Sequence, residues 1–188
     1  MFNKIVFLFI CKARRWLYRH LSTNKSTGGI KSVQPVQLVG EGKILVEKSV
    51  TIGYFPSPHF FSSYCYLEAR SKDAKISIGK GTHINNGFVA IAEQSSISIG
   101  CNCLIGTRVE IYDSDFHALN FIDRVNNLGH RAESVSIGNN VFIGSNVRIL
   151  KGVSIGDNAV IGNGSIVTKN VPKNVIASGV PAKVLKDC

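Results

Sequence analysis

Residues 137–172 divide without a gap into six hexads: Ile-Gly-Asn-Asn-Val-Phe, Ile-Gly-Ser-Asn-Val-Arg, Ile-Leu-Lys-Gly-Val-Ser, Ile-Gly-Asp-Asn-Ala-Val, Ile-Gly-Asn-Gly-Ser-Ile and Val-Thr-Lys-Asn-Val-Pro. An internal repeat this strict constrains a fold more than any composition does. It sets a β-branched residue at 137, 143, 149, 155, 161 and 167, mostly with Gly next and a small or β-branched residue four places on. A short strand points those two positions inward, while Gly and Asn accept the tight or left-handed backbone of a corner. The chain must turn about every six residues, and one such strand cannot bury its apolar edge alone. Stacking coils roughly 4.8 Å apart buries a continuous column and pairs the backbone groups. The pattern predicts a parallel β-solenoid and leaves its hand open.

The same phase runs back through Ile99-Gly100, Ile105-Gly106 and Ile111, and through Ile78-Gly79 and Ile84, so most of 76–172 is predicted to be solenoid. Two interruptions break it. One adds three residues around Glu93 to Ser95; the other, 113–134, is polar, carries Asp, His, Arg and Asn, and contains no hexad. Repeat proteins place insertions on one face, and long ordered loops in compact domains are often functional, so this loop is the expected seat of chemistry. Residues 33–70 show only scattered hexads at Val46 and Ile52-Gly53, then a run rich in aromatics and Pro from Tyr54 to Tyr66. They are expected to form irregular coils that cap the column. The expected organisation is an arm over 1–31, a solenoid over 32–173 with its loop at 113–134, and a tail over 174–188 that packs back on the solenoid's side.

The net charge of +10 suggests nucleic acid until it is located. Residues 1–31 contain seven Lys or Arg and no acid, which leaves +3 for the other 157 residues. With a nearly neutral solenoid and no nucleic-acid motif, the charge belongs to an arm and not to a reading surface. On a helix, Phe2, Ile5, Val6, Phe9, Ala13, Trp16 and Leu17 cover one broad side, while Lys4, Lys12, Arg15 and Arg19 cluster on another. The apolar run over 5–11 is far shorter than the roughly 20 residues that span a bilayer. Positive charge after that run, without a small-residue cleavage site, disfavours a signal peptide. Two readings stand: residues 1–21 dock on the anionic inner face of the cytoplasmic membrane, or the helix packs on the solenoid or a neighbouring subunit.

Cys11, Cys65, Cys101, Cys103 and Cys188 are odd in number and lack framework spacing, which suits a reducing, cytoplasmic compartment. Cys101 and Cys103 read better as buried thiols than as zinc ligands, because Cys103 takes the small inward position of its hexad. His59, His83 and His130 show no ligand spacing, and no metal is assigned.

The hexads, the stretch Ile143-Gly144-Ser145-Asn146-Val147, the stretch Gly162 to Lys169 and the ending Ala177-Ser178-Gly179-Val180-Pro181-Ala182-Lys183-Val184 resemble the hexapeptide-repeat acyltransferases. The similarity covers about 76–186 and is strongest to the sugar O-acetyltransferase branch, which includes the galactoside and maltose acetyltransferases. The resemblance implies a left-handed β-helix, a homotrimer, and acetyl-CoA bound in the cleft between neighbouring subunits. In that family a catalytic histidine stands at the start of the loop that interrupts the coils, with an Arg some residues later. His117, within Tyr112-Asp113-Ser114-Asp115-Phe116-His117-Ala118-Leu119-Asn120, takes that place, with Arg124 beyond. Ala118 stands where Pro is common, and Phe142 replaces a common Trp, which keeps an aromatic wall and drops an indole donor.

A histidine suits this chemistry. A sugar hydroxyl is a weak nucleophile, and its attack on a thioester requires proton removal as the bond forms. A neutral imidazole with a pKa of about 6.5 does this at neutral pH, and the family transfers acetyl directly in a ternary complex. By resemblance the Ser145 amide is the candidate donor to the developing oxyanion. If 113–117 is extended, Asp113, Asp115 and His117 share one side, where the carboxylates either orient the imidazole or accept from acceptor hydroxyls. Asn85 matches the family's acceptor-contacting asparagine, with Asn86 as the fallback, and Glu93 stands near a family aspartate. For acetyl-CoA the resemblance carries over Ser145, Asn163, Thr168, Lys169, Lys183 and Lys186. Lysines at 183 and 186 replace family arginines, keeping charge while losing bidentate phosphate contacts. The resemblance thus implies an acetyl-CoA-dependent O-acetyltransferase acting on a saccharide in surface polysaccharide biosynthesis. N-acetylation of an amino-sugar nucleotide, acetylation of a xenobiotic, and a trimeric scaffold are the competing readings. A hexapeptide carbonic anhydrase would need zinc-binding histidines that this spacing does not offer.

Overall fold

The computed structural model describes residues 4–126 and 128–188. Its strands form three sheets, each taking one short strand from every coil. A coil such as Ser96–Ile99, Leu104–Ile105 and Glu110–Tyr112 visits the first, second and third sheets in turn. The column has a triangular section, and successive coils pair in parallel. Register is set residue on residue: Ile52, Ile84, Ile105, Ile143, Ile161 and Ala177 stack through the second sheet. All six are buried. Each enclosed isoleucine stabilises the column by about 1.5–3 kcal/mol, so stacking and not local propensity holds these two-residue strands.

The two polar positions of the hexad have separate jobs. A Cβ on Gly144 would sit 2.2 Å from Asn163 Oδ1 and 2.8 Å from Asn163 N, so the second position is small because the next coil's corner presses on it. The left-handed backbone falls two residues later, where Asn140, Asn146 and Asn158 have φ of 54°, 59° and 61°. Asn tolerates this region better than most residues, which explains why Asn or Gly fills the fourth place of each hexad from 140 to 164.

The column is longer than the repeat announces. Lys43–Val46, Thr51–Ile52 and Cys65–Ala69 make a full coil in register with the one above, where irregular capping coils are expected. Ser26–Thr27 and Lys31–Ser32 also pair with that coil, so solenoid pairing begins inside the segment read as an arm. The hexads are obscured there because 53–64 is inserted at a corner. Buried Gln34 ties the insertion down, its amide donating to His59 O and Ser63 O and its carbonyl accepting from Gly87 N. At the other end Val175–Gly179 does not leave the column. It adds to the second sheet beside Ile161, and only Ala182–Asp187 turns back, antiparallel to it.

Helix α1 (Lys4–His20) lies along the lower column. Phe7 meets Phe55 with ring centroids 4.6 Å apart, Tyr18 meets Tyr64 at 4.5 Å, and Cys11 is buried. Arg14 donates to Phe60 O and Ser63 O at 2.8 and 2.7 Å, and Arg15 to Ser32 O at 2.7 Å. Arg15 therefore belongs to the packed side and not to an outward basic cluster.

Candidate active site

The corners of the column decide where each candidate residue stands. The loop 113–134 leaves the third sheet after Tyr112 and rejoins the first at Val135. Lys151, Thr168 and Lys169 lie at the same corner in the coils above. Asn85, Ser145 and Asn163 lie at the corner between the second and third sheets, across the full width of the third sheet. Lys183 and Lys186 sit on the strand at the second sheet's edge. Within one chain, His117 and the Asn85–Ser145–Asn163 ledge are held at opposite corners.

The loop is anchored from beneath. Asp113 is wholly buried, and its carboxylate accepts from Glu93 N, Gln94 N and Ser95 N at 2.7, 3.3 and 2.8 Å. Those three amides belong to the residues inserted between coils, so insertion and aspartate explain one another. Both oxygens are engaged, which corrects the expectation that Asp113 meets an acceptor or orients the histidine. Asp115 stays at the surface layer, 3.4 Å from Lys151 Nζ. The two acids and His117 do not share one side, because Phe116 takes φ of 59° and breaks the alternation.

A charged cluster supports the same segment. Glu93 accepts from Ser114 Oγ, lies 3.1 Å from Arg70 Nη1, and lies 2.7 Å from His130 Nε2, the last contact off the hydrogen-bond axis. Burial pushes the Glu93 carboxyl up, but the Ser114 hydroxyl, His130 and Arg70 together outweigh it and hold it below the usual carboxylate range. Arg70 also donates to Glu68 Oε1 at 2.7 Å and stands 5.1 Å from the centre of the Phe116 ring. His117 follows Phe116 and is exposed, and among the described residues its ring makes no hydrogen bond or ion pair. Arg124, on α2 (Phe121–Val125), braces the segment after it by donating to Ala118 O and Leu119 O at 3.3 and 3.2 Å. Sequence reasoning missed Arg70 and His130. No periodic signal marks either, and Arg70 gains meaning only when stacking sets Ala69 beside Ala92.

At the other corner Asn85 lines a groove of about 220 Å³ with Tyr54, His83, Leu104, Gly106 and Phe142. Its φ is not left-handed; Gly87 takes that conformation instead. Asn86 is buried and donates to Tyr54 O and Pro58 O at 2.9 and 3.0 Å, which ties the 53–64 insertion and removes it as a fallback acceptor contact. Ser145 N donates to Asn163 Oδ1 at 2.9 Å. That corrects the expectation of a vacant oxyanion donor: the amide is occupied, as are the equivalent amides of Cys101 and Asn139, each bonded to the next coil's Asn or Asp. Asn163, Thr168, Lys169, Lys183 and Lys186 are all exposed. Cys65 and Cys103 are buried thiols, and burial pushes Cys65 up to about 12, beyond use as a thiolate at neutral pH.

The hexapeptide repeat of succinyl-transferase matches residues 134–169. Among curated proteins the chain is 40% identical over 116 residues to the polysialic acid O-acetyltransferase of Escherichia coli O1:K1, covering 62% of this chain and 38% of that protein. It is 42% identical over 116 residues to the galactoside O-acetyltransferase of Escherichia coli K12, covering 59% and 56%. The chain thus spans little more than a third to a half of these relatives' own lengths. Its fold also matches the hexapeptide-repeat acetyltransferase VCA0836 of Vibrio cholerae O1 biovar eltor, solved with acetyl coenzyme A. The TM-score is 0.59 at 27% identity, over 96% of this chain and 81% of that one. Repeat, stacking and relatives agree: the chain carries the hexapeptide repeat over 134–169, has the left-handed β-helix fold of the hexapeptide-repeat acetyltransferases, and is similar along that column to sugar O-acetyltransferases.

Proposed function

We propose that this protein transfers the acetyl group of acetyl-CoA to a hydroxyl of a saccharide, in the building of a surface polysaccharide, as a homotrimer in the cytoplasm at the inner face of the membrane. The observation that carries the reading is His117, exposed at the head of a loop whose underside is fully anchored, on a chain whose relatives are named for O-acetylation of sugars. The imidazole takes the proton of the attacking hydroxyl as the new C–O bond forms. The thioester C–S bond breaks, and the imidazolium returns the proton to the departing thiolate, so coenzyme A leaves as the free thiol. Asn85 and Asp115 are the proposed acceptor contacts. Ser145, Asn163, Thr168, Lys169, Lys183 and Lys186 are the proposed coenzyme contacts, the lysines meeting its phosphates.

These residues stand on separate corners of one chain, which supports a site closed between subunits. The loop tip also exposes Leu119, Phe121, Ile122, Val125 and Leu128, an apolar surface that a second chain would cover. The test is acetyl-CoA-dependent thiol release with a panel of saccharides. His117→Ala should keep acetyl-CoA binding and lose roughly 10²–10⁴ in turnover. Wild-type turnover in that variant removes His117 from the mechanism.

A further inference from the structure

Helix α1 presents two different faces, and packing uses only one. Phe7, Cys11, Arg14 and Tyr18, at helical spacing, lie against the solenoid. The opposite stripe holds Phe9, Lys12, Trp16 and Arg19. All four are exposed, Phe9 at 70% and Trp16 at 62%. Packing on the column and docking elsewhere are therefore not rivals, because they engage opposite sides of one helix.

We propose that this outward stripe docks on the surface of an anionic phospholipid bilayer, with Phe9 and Trp16 at the boundary of headgroups and acyl chains and Lys12 and Arg19 against lipid phosphates. Charge complementarity selects the occupant. No acidic residue precedes Glu41, so the stripe's cations have no carboxylate close in sequence. Arg14 and Arg15 donate to carbonyls of the column, and these bonds stop the helix from rolling its aromatic stripe inward. Tryptophan flanked by cations suits an interface that is apolar on one side and wet and anionic on the other. No described helix is long and apolar enough to cross a membrane, which leaves the helix lying in the surface plane. The inference deepens the membrane placement proposed above and does not depend on acetyl transfer.

Trp16 is the only tryptophan of the chain, so its fluorescence reports this face alone. Intact protein is mixed at low salt with vesicles of phosphatidylcholine containing phosphatidylglycerol. Trp16 emission should shift to the blue and be quenched by brominated lipid, and added salt or phosphatidylcholine alone should abolish the response. The double variant Lys12→Glu/Arg19→Glu should bind roughly tenfold less or weaker still, since each surface cation contributes severalfold in affinity. Phe9→Asp should lose the quenching while melting like the wild type. Unchanged emission with the anionic vesicles overturns the proposal. So does a Phe9→Asp protein whose oligomeric state by light scattering differs from wild type, because a second copy of the chain then covers the stripe. Either failure leaves thiol release with sugars, and the acetyl-transfer reading, untouched.

Discussion

Asp113 and His117 are four residues apart and have opposite fates. The carboxylate of Asp113 is consumed by three backbone amides, so Asp113→Ala should leave them buried without an acceptor and cost about 3 kcal/mol or more of stability. Urea denaturation measures it, and a midpoint equal to wild type would mean that water replaces the carboxylate. Arg70 touches the same segment from below, through Glu93 and the Phe116 ring. Phe116 holds a left-handed backbone that a side chain adopts only when its surroundings insist. Arg70 is thus expected to be a positioning residue for His117. Arg70→Lys keeps the charge but loses the planar fork, and should lower kcat roughly tenfold while leaving the KM for acetyl-CoA unchanged. An unaltered kcat would reduce Arg70 to an ion-pair partner.

The loop 113–134 is the element most exposed to conditions, because its underside rests on an ionised Glu93. The carboxyl's folded pKa lies below its ordinary value of 4.5, so the stabilisation it supplies is fully present above pH 4.5 and is lost as pH falls through the lower folded value. Amide exchange across the loop should accelerate in that acid range before the coils respond. The coils rest on the apolar burial of their inward residues, and the one buried carboxylate within their described strands, Glu68, is paired with Arg70. Loop and coils that loosen together would show that the cluster does not govern the loop locally. Helix α1 illustrates the same economy of elements: one short helix has a packed face fixed by arginines and an outward face rich in aromatics and cations.

At the scale of the whole molecule, the third sheet separates the proposed base from the proposed acceptor and coenzyme ledge. A site that joins them across a cyclic interface makes a complementation forecast. His117→Ala and Asn85→Ala proteins, each inactive alone, should regain activity when unfolded together and reassembled as mixed trimers. With random mixing about a quarter of the interfaces combine an intact His117 with an intact Asn85. No recovery in verified mixed trimers would place both residues of each site in one subunit.

The hexads determined the column, its inward phase and the place of the inserted loop, because stacking requires an inward side chain at the same two positions of each hexad. The phase holds throughout: Val141, Val147, Val153 and Ala159 at the fifth positions are buried with the isoleucines of the first. His117 was legible only through a resemblance, since one histidine in a polar loop has no periodicity. Tertiary structure decided the rest. The coil over 43–69 emerged because pairing tolerates an insertion at a corner that a repeat search does not. Asp113, Asn86 and the Ser145 amide changed from candidate chemistry to structure because their partners lie one coil away, at separations of 20, 32 and 18 residues that local reading does not cross. The two faces of the N-terminal helix were separable only once the column had claimed one of them. A helical wheel shows which residues share a side, while contact with the rest of the fold decides which side meets protein.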